Sequence, residues 1–309
     1  MEPGDGPVDE QGAGEPQPAE TDAGNLDGTR LGLARQLAPA LLILLAFLVV
    51  PLLALGRISL LPGDTAFGAT GWSFRQYAKV FGDLFYLRVL AETLGYGLVV
   101  AGATFVLGFP VAHSLARMRP SARRWRVALI ILPLTLSLVV NVFAWLVILG
   151  GSGLVNGVLL AMGLVDAPIR LLFNRGAVLV VLIHTFLPFQ ILSIMSVIAQ
   201  IDPRLEEAAA NLRADRWTIF RRVLLPMALP GIIAGSTLVF ILTVSAFVTP
   251  RLIGGGRVHM LGSLIYEQVA VVLNWPFGGA LSFVLLAIVL TLLGVASRLA
   301  GARFFTTRS

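Results

Sequence analysis

Six apolar stretches of about 20 residues follow one another along the chain, separated by polar or charged segments. A helix needs about 20 apolar residues to cross the ~30 Å hydrocarbon layer of a bilayer. The pattern therefore predicts an all-α, polytopic transmembrane protein with six spans, whereas a membrane barrel would show short alternating segments. The predicted spans are 37–55, 89–113, 127–149, 177–198, 229–248 and 280–299.

Basic residues are distributed unevenly between the segments that join the spans. If the N-terminus is cytoplasmic, 15 of the 23 basic residues fall in cytoplasmic segments and eight in outer segments. Cytoplasmic loops carry the excess of Lys and Arg, so this distribution predicts that both termini are cytoplasmic. An apolar segment at 154–166 is too short to span and predicts an interfacial or re-entrant helix on the outer side.

The composition supports a membrane protein and defines the ends of the chain. Hydrophobic residues make up 57% of the sequence and the mean hydropathy is +0.86, which leaves too little polar surface for a soluble protein. Cysteine is absent, so disulfides and thiolate metal sites are excluded. Residues 1–29 hold eight acids and no basic residue, which predicts a disordered acidic cytoplasmic tail. We expect the first span and an outer loop at 30–88, the main transmembrane domain at 89–300, and a short cytoplasmic tail at 301–309.

The most informative polar segment is the loop 201–226, between the fourth and fifth predicted spans, which carries five arginines. Asp202 is predicted to accept hydrogen bonds at the start of a short helix. Asp215 predicts the start of a second short helix over 216–222, and Pro226 is expected to end it. Two short helices at an angle are therefore expected across the cytoplasmic face.

This loop resembles the EAA loop of bacterial ABC-transporter permeases, written E-A-A-x-x-x-G and followed nine residues later by I-x-L-P. Glu207-Ala208-Ala209 matches its start, Val223 stands for the Ile, and Leu225-Pro226 matches its end. Arg213 stands where the family has Gly, which favours a tight turn between the helices, so Arg213 must adopt an ordinary φ or carry strain. The resemblance implies that the loop docks into a separate ATPase subunit, with the Glu central to the contact. The residues implied in this coupling are Glu206, Glu207, Ala208, Ala209, Arg213, Leu225 and Pro226.

The resemblance extends over about residues 85–300 and is strongest for the spermidine/putrescine-type branch. The motifs that carry it are Phe143-Ala144-Trp145, Gly153-Leu154-Val155-Asn156, Ile201-Asp202-Pro203-Arg204-Leu205, Phe247-Val248-Thr249-Pro250 and Asn274-Trp275-Pro276. It implies the type I ABC importer permease fold, a place in the bacterial plasma (inner) membrane, and a small polar, polyamine-like solute. That branch often has an acid before the Phe-Val-Thr-Pro run. This chain has Ala246 there, which leaves other small polar solutes open.

The same resemblance implies the partners of the chain. They are two copies of an ABC ATPase subunit, a second permease that the branch resemblance makes a different chain, and a periplasmic or lipid-anchored solute-binding protein, all beside membrane lipid. The chain itself is expected to be non-catalytic, to bind no cofactor and no nucleic acid, and to leave ATP and Mg to the ATPase. Its one lysine, Lys79, does not follow the glycine-rich loop that a P-loop requires.

Polar and aromatic residues inside the predicted spans are the candidates for the solute pathway. These candidates are Asn141, Trp145, Gln190, Thr243, Ser245, Phe247 and Thr249.

Two other functions stay open at this point. An ion-coupled secondary transporter would use intramembrane ionisable groups, and only Glu92 and His184 are near candidates. An intramembrane serine protease is suggested by Gly150-Gly151-Ser152-Gly153, with His184 as the base that the Ser would need. The histidines His113 and His259 lack the spacing of metal ligands, so no metal site is predicted.

Overall fold

The computed structural model describes residues 23–64 and 70–304, and this part of the chain is mostly helical, without a β-strand. The helices are α1 Ala23–Ser59, α2 Arg75–Gly82, α3 Leu84–Ala116, α4 Pro120–Thr135, α5 Leu138–Leu149, α6 Leu154–Ala161, α7 Arg175–Ile198, α8 Arg204–Asn211, α9 Arg216–Ile219, α10 Leu225–Val244, α11 Val248–Leu252, α12 Leu261–Tyr266 and α13 Trp275–Phe304. Five-residue π-helical segments, Phe220–Leu224 and Glu267–Val271, follow α9 and α12.

Six helical stretches of the described residues are long and apolar enough to cross a membrane, which confirms the predicted number of spans and the all-α class. They are Ala38–Ser59, Leu84–Ala116, Leu138–Ala161, Arg175–Ile198, Arg216–Val244 and Trp275–Val295.

The chain divides into two compact units, residues 1–54 and 55–309. In the first unit, residues 1–22 lie outside the described residues, so the predicted disordered tail is described only from Ala23, where α1 begins. In the second unit, α13 continues through the start of the predicted tail 301–309 to Phe304, and residues 305–309 lie outside the described residues.

Helices α3, α7 and α10 form the core of the second unit. Val100, Val181 and Val239, one from each helix, are fully buried together. The helices approach closely because small residues lie at the contacts: a Cβ on Gly231 would lie 2.9 Å from the carbonyl oxygen of Ser193. Close approach of this kind replaces the hydrophobic drive that is missing between helices in lipid. The three helices therefore form one closely packed bundle within the second unit.

The prediction of one continuous third span over 127–149 is wrong. Helix α4 ends at Thr135 and α5 begins at Leu138, with Leu136 and Ser137 extended at ψ 146° and 136°. Pro133 lies in the last turn of α4, where it supplies no N–H to the helix. The membrane-length stretch instead runs through α5 and α6 across a glycine-rich turn. The helix expected within 154–166 is present as α6, and it ends at Ala161.

The prediction that Pro226 ends a short helix is also wrong. Helix α9, the π-helical segment and α10 follow one another without a break from Arg216 to Val244. Pro226 lies in the first two residues of α10, where a missing N–H is tolerated. The predicted fifth span, 229–248, is interrupted at its other end, because α10 ends at Val244 and Phe247 is non-helical before α11.

Candidate functional site

Of the two short helices predicted in the coupling loop, residues 201–226, α8 is a separate helix, whereas α9 is the first part of the stretch that continues into α10. The Asp202 carboxylate accepts the backbone N–H of Arg204 at 2.9 Å, as expected at a helix start. Glu206 and Glu207 lie in the first turn of α8, where the helix dipole favours negative charge. Asp215 precedes α9, and its carboxylate accepts the Thr218 hydroxyl at 2.5 Å.

The hydrogen bond from Thr218 lowers the pKa of Asp215. A lowered folded pKa means that the contribution of Asp215 to stability is present above the pKa of an unfolded Asp. This contribution is lost as the pH falls through the lower folded value. The hydrogen bond between Asp215 and Thr218 at the start of α9 is therefore kept at neutral pH.

The turn between α8 and α9 retains the geometry that glycine would favour, although Arg213 occupies it. Arg213 has φ 61°, in the left-handed region. The N–H of Arg213 bonds to the carbonyl of Ala210, and the N–H of Ala214 bonds to the carbonyl of Ala209. This pair of bonds is the Schellman motif that closes a helix C-terminus. Of the two outcomes expected for Arg213, the structure therefore shows the strained one.

Replacing Arg213 by Gly is expected to raise the free energy of unfolding by about 1 kcal/mol, because glycine enters the left-handed region without the Cβ clash. Arg213→Ala is the matched control, since it removes the exposed side chain and keeps the clash. Thermal unfolding of the purified full-length protein measures both. Equal stabilisation by Gly and Ala would show that the side chain, and not φ, is the cause.

The two adjacent glutamates of α8 have different surroundings. Glu206 is turned inward, and its side chain is 21% exposed. Its carboxylate accepts Arg117 Nε at 2.8 Å and Arg117 Nη2 at 2.5 Å, and it lies 3.1 Å from His113 Nε2. Arg117 also donates to the carbonyl of Ile201 at 2.8 Å. The ion pair therefore fixes the coupling loop to the end of α3.

Glu207 is exposed and makes no ion pair with any described residue. Ala208 beside it is exposed and presents a small surface, while Ala209 is half-buried. Leu212, just after the last residue of α8, is 85% exposed. An acid, a small residue and an apolar residue are therefore all exposed on α8 or at its end, which are residue types that protein interfaces use.

Leu225 and Pro226 lie at the start of α10, where Leu225 is half-buried and Pro226 exposed. Their part in coupling stays a prediction. Leu212 and the Arg117 ion pair were not anticipated. Arg117 is 89 positions from Glu206 and carries no local signal, whereas an apolar residue after the E-A-A run is visible in the sequence.

Most of the predicted pathway residues are buried within the subunit. Thr243 is fully buried and donates its hydroxyl to the Val239 carbonyl at 2.8 Å, and Thr249 is 2% exposed. Gln190 is fully buried between α7 and α10; its Nε2 donates to Ser236 at 3.3 Å, and its Oε1 has no partner among the described residues. Asn141 is 9% exposed. These four positions contact solute only if the helices separate.

The other three candidates lie near the surface on α5 and the interruption between α10 and α11, and α5 packs on α11. The Trp145 indole donates to His184 Nδ1 at 3.3 Å, with the rings edge to face. Phe247 stacks on Tyr266, with the ring centroids 5.3 Å apart, and Arg251 lies 4.8 Å from the Tyr266 ring. Ser245 is exposed at the end of α10. Tyr266 was missed, because it lies 19 positions from Phe247.

The groups required by the alternative functions are engaged in other contacts. No hydrogen bond in the described part of the chain joins Ser152 to His184, and His184 accepts the Trp145 indole instead. Glu92 pairs with Arg175 at 2.6 Å and with Arg88 at 3.2 Å. Within residues 38–64 and 70–295, no group of three or more His, Asp and Glu side chains could hold a metal ion.

Six candidate membrane spans, three of which contain the packed helices α3, α7 and α10, together with a polar loop that leads into the fifth span, are the features of a membrane transport subunit. Residues 104–304 match the family model for the binding-protein-dependent transport system inner membrane component, and the chain belongs to that family. It is therefore a permease subunit of an ABC importer and a multi-pass protein of the bacterial inner membrane.

Individual relatives agree with this family. The spermidine/putrescine transport system permease protein PotB of Haemophilus influenzae is 33% identical over 256 residues, covering 82% of this chain and 89% of the relative. The bacterial alginate ABC transporter, solved with a periplasmic protein, has a chain of the same fold: TM-score 0.69, 19% identity, covering 89% of this chain and 96% of that chain. An inward-facing structure of the MetNI methionine ABC transporter gives TM-score 0.51 at 22% identity, covering 70% and 94% of the two chains.

Proposed function

We propose that this chain forms the pathway for a polyamine-like solute and couples it to a separate ATPase through Glu207 and its neighbours on α8. The observation that carries the proposal is that two adjacent glutamates have different surroundings. Glu206 is held inside the subunit by Arg117, while Glu207 is exposed without an ion pair in the described structure. A carboxylate held out in this way on a fixed loop is available to a basic partner surface.

The proposed assembly contains two ATPase copies, a second permease of different sequence, and a periplasmic or lipid-anchored binding protein. ATP and Mg bind to the ATPase, and this chain carries no catalytic residue. Its loop 201–226 lies on the cytoplasmic side, as the distribution of arginines favours. Closure of the ATPase pair pulls on this loop, and the three-helix core transmits the movement to the outer end of the pathway.

The solute class rests on two supports. The H. influenzae relative is a permease of a spermidine/putrescine transport system. In this chain, the aromatic faces of Trp145, Phe247 and Tyr266 lie near the interruption in the fifth span. Aromatic faces attract ammonium groups, and Arg251 already occupies a position over Tyr266. Such surfaces suit a linear, multiply charged amine without requiring an acid in place of Ala246.

Transport by the assembled complex in proteoliposomes tests the proposal. Uptake of radiolabelled spermidine is expected only when two conditions are met. ATP is present on the side of the membrane that carries the ATPase, and the binding protein is present on the opposite side. Uptake by this chain alone, driven by an ion gradient, would instead identify a secondary transporter. ATP-dependent uptake of another solute in preference to spermidine would overturn the solute class and leave the ATPase coupling intact.

Membrane orientation can be tested directly by cysteine labelling. The chain contains no cysteine, so a single introduced cysteine is its only site for a thiol reagent. Asn211→Cys places it at the exposed end of α8. A membrane-impermeant maleimide is expected to leave this cysteine unlabelled in intact cells. The same reagent is expected to label it after the cells are permeabilised. Labelling in intact cells would place the coupling loop outside and contradict the proposed topology.

Phe247→Ala is expected to raise the KM for spermidine about five-fold, because it removes one partner of an aromatic pair that attracts cations. Phe143→Ala is the matched control: this exposed ring lies on α5, two residues from Trp145, and the loss of apolar area is the same. Initial rates of ATP-driven uptake give both KM values. Equal effects of the two variants would remove Phe247 from the pathway.

A further inference from the structure

A groove of about 760 Å³ lies between the second half of α3 and residues 216–224, where the coupling loop becomes the start of the fifth span. Aromatic rings line both walls. Phe109 on α3 contacts Phe220 edge to face at 4.9 Å, and Trp217 stacks on Phe220 at 5.2 Å. Trp217 is 65% exposed and Val106 is 66% exposed, so the groove is open on one side. Neither the ion pair of Glu206 nor the pathway residues account for this cavity.

The groove changes from apolar to polar along α3. Its α3 wall runs from Phe105 to His113, a distance of about 12 Å along the helix. Phe105 marks the end nearer the middle of the span, while His113 lies near the helix C-terminus, where Glu206 and Arg216 also line the wall. The groove is apolar toward the middle of the membrane and polar toward the membrane surface. This is the order of acyl tail and headgroup in one leaflet of a bilayer.

The charge at the polar end is positive. The Glu206 carboxylate is already paired with Arg117, whereas Arg216 makes no ion pair within the described part of the chain. Arg221 and Arg222 follow on the same segment, and both are exposed. An anionic group at this end therefore meets a cation that has no competing partner. A zwitterionic headgroup carries no net charge, so its electrostatic attraction to Arg216 is weaker.

We propose that this groove binds an anionic phospholipid, with an acyl chain along Phe105 and Phe109 and its phosphate at Arg216. Basic pockets between membrane helices on the cytoplasmic side bind anionic headgroups, and Trp favours the same interface. The site rests on the proposed function only through the cytoplasmic side of the coupling loop. A lipid in this position touches α3 and α9 together, so it links the lipid composition of the membrane to the attachment of the coupling loop.

Quenching of Trp217 fluorescence by brominated lipids tests the proposal. The full-length chain, assembled with its transporter subunits, is reconstituted in bilayers of brominated phosphatidylglycerol, phosphatidylcholine, or mixtures of the two. The Trp217 signal is the difference between the wild type and Trp217→Phe. Phosphatidylglycerol is expected to bind about five-fold more strongly than phosphatidylcholine. Arg216→Gln is expected to remove this preference, whereas Arg257→Gln, an exposed arginine in the loop after α11, is expected to keep it.

A second variant tests the apolar part of the site. Val106→Phe fills the groove from its open side and is expected to reduce Trp217 quenching by both lipids. An unchanged preference in Arg216→Gln would overturn the proposal, as would quenching unaffected by Val106→Phe. Absence of Trp217 quenching in either lipid would show that a protein partner covers the groove and would also overturn it. Because neither solute nor ATP is present, these outcomes are independent of the transport and ATPase measurements.

Discussion

Replacing Glu207 by Arg is expected to lower solute-stimulated ATP hydrolysis by the assembled transporter about 30-fold, while the chain still folds and inserts. The carboxylate is exposed and makes no ion pair with the described residues, so its reversal removes no such contact within the subunit. Its effect therefore falls on the proposed interface with the ATPase. Loss of an interface hot spot costs about 2 kcal/mol or more, which corresponds to about 30-fold in affinity.

The measurement is ATPase activity in proteoliposomes with and without solute-loaded binding protein. Asp166→Arg is the matched control, because it reverses an exposed acid in the segment before α7, at the other end of that helix from the coupling loop. The control is expected to keep most of the stimulation, and Glu207→Gln to have an intermediate effect. Normal stimulation in Glu207→Arg would refute coupling through this residue.

Removing the arginine that holds Glu206 is expected to have the largest effect on stability. In Arg117→Ala, the Glu206 carboxylate stays mostly buried without its principal partner, and the Ile201 carbonyl loses a donor. Breaking one side of a buried ion pair costs about 3 kcal/mol. The free energy of unfolding, measured by denaturant titration of the purified protein, is expected to fall by that amount. Cleavage of loop 201–226 by trypsin is expected to accelerate.

Two further variants separate charge from packing at this pair. Arg119→Ala removes an exposed arginine two residues away that makes no ion pair with the described residues, and it is expected to change stability little. The double variant Arg117→Met with Glu206→Gln replaces the pair by neutral groups of similar size. Recovery of most of the lost stability is expected, since neutral replacement of a buried pair is often tolerated. A double variant as unstable as Arg117→Ala would identify packing as the dominant cause.

Apolar length was sufficient to predict six spans, because a bilayer imposes the same requirement on every helix that crosses it. It was insufficient to locate the breaks within them. The extended Leu136–Ser137 step and the interruption at Phe247 lie in sequence whose average hydropathy is that of a membrane span, with only scattered Ser and Thr. There, proline and side-chain packing decide the backbone, and hydropathy carries no information about either. Proline was also misread at Pro226, which begins a helix instead of ending one.

The coupling loop was predicted from local sequence signals, and those signals were sufficient to predict where its helices begin. Asp202 and Asp215 lie at the helix starts where their side chains favour them. The turn at Arg213 could not be decided from sequence, because family geometry and the cost of positive φ oppose each other there. The different surroundings of Glu206 and Glu207 depend on Arg117, a residue from a distant span. Such long-range pairing leaves no periodic pattern in the sequence.

The π-helical segment Phe220–Leu224 has a consequence for exchanging loops between transporters. It joins α9 to α10 in one uninterrupted rod, with one residue more than an α-helical register would need. Deleting that residue would restore an ordinary α-helical register, because the wider π-helical turn takes up the extra residue without rotating the helix on either side. A deletion in the regular part of α10 is not taken up in this way and would turn the preceding surface by about 100° around the rod. A chimaera that borrows the proposed ATPase-contacting portion from another permease therefore tolerates a one-residue difference only at this joint, and elsewhere along the rod the grafted surface would face the wrong direction.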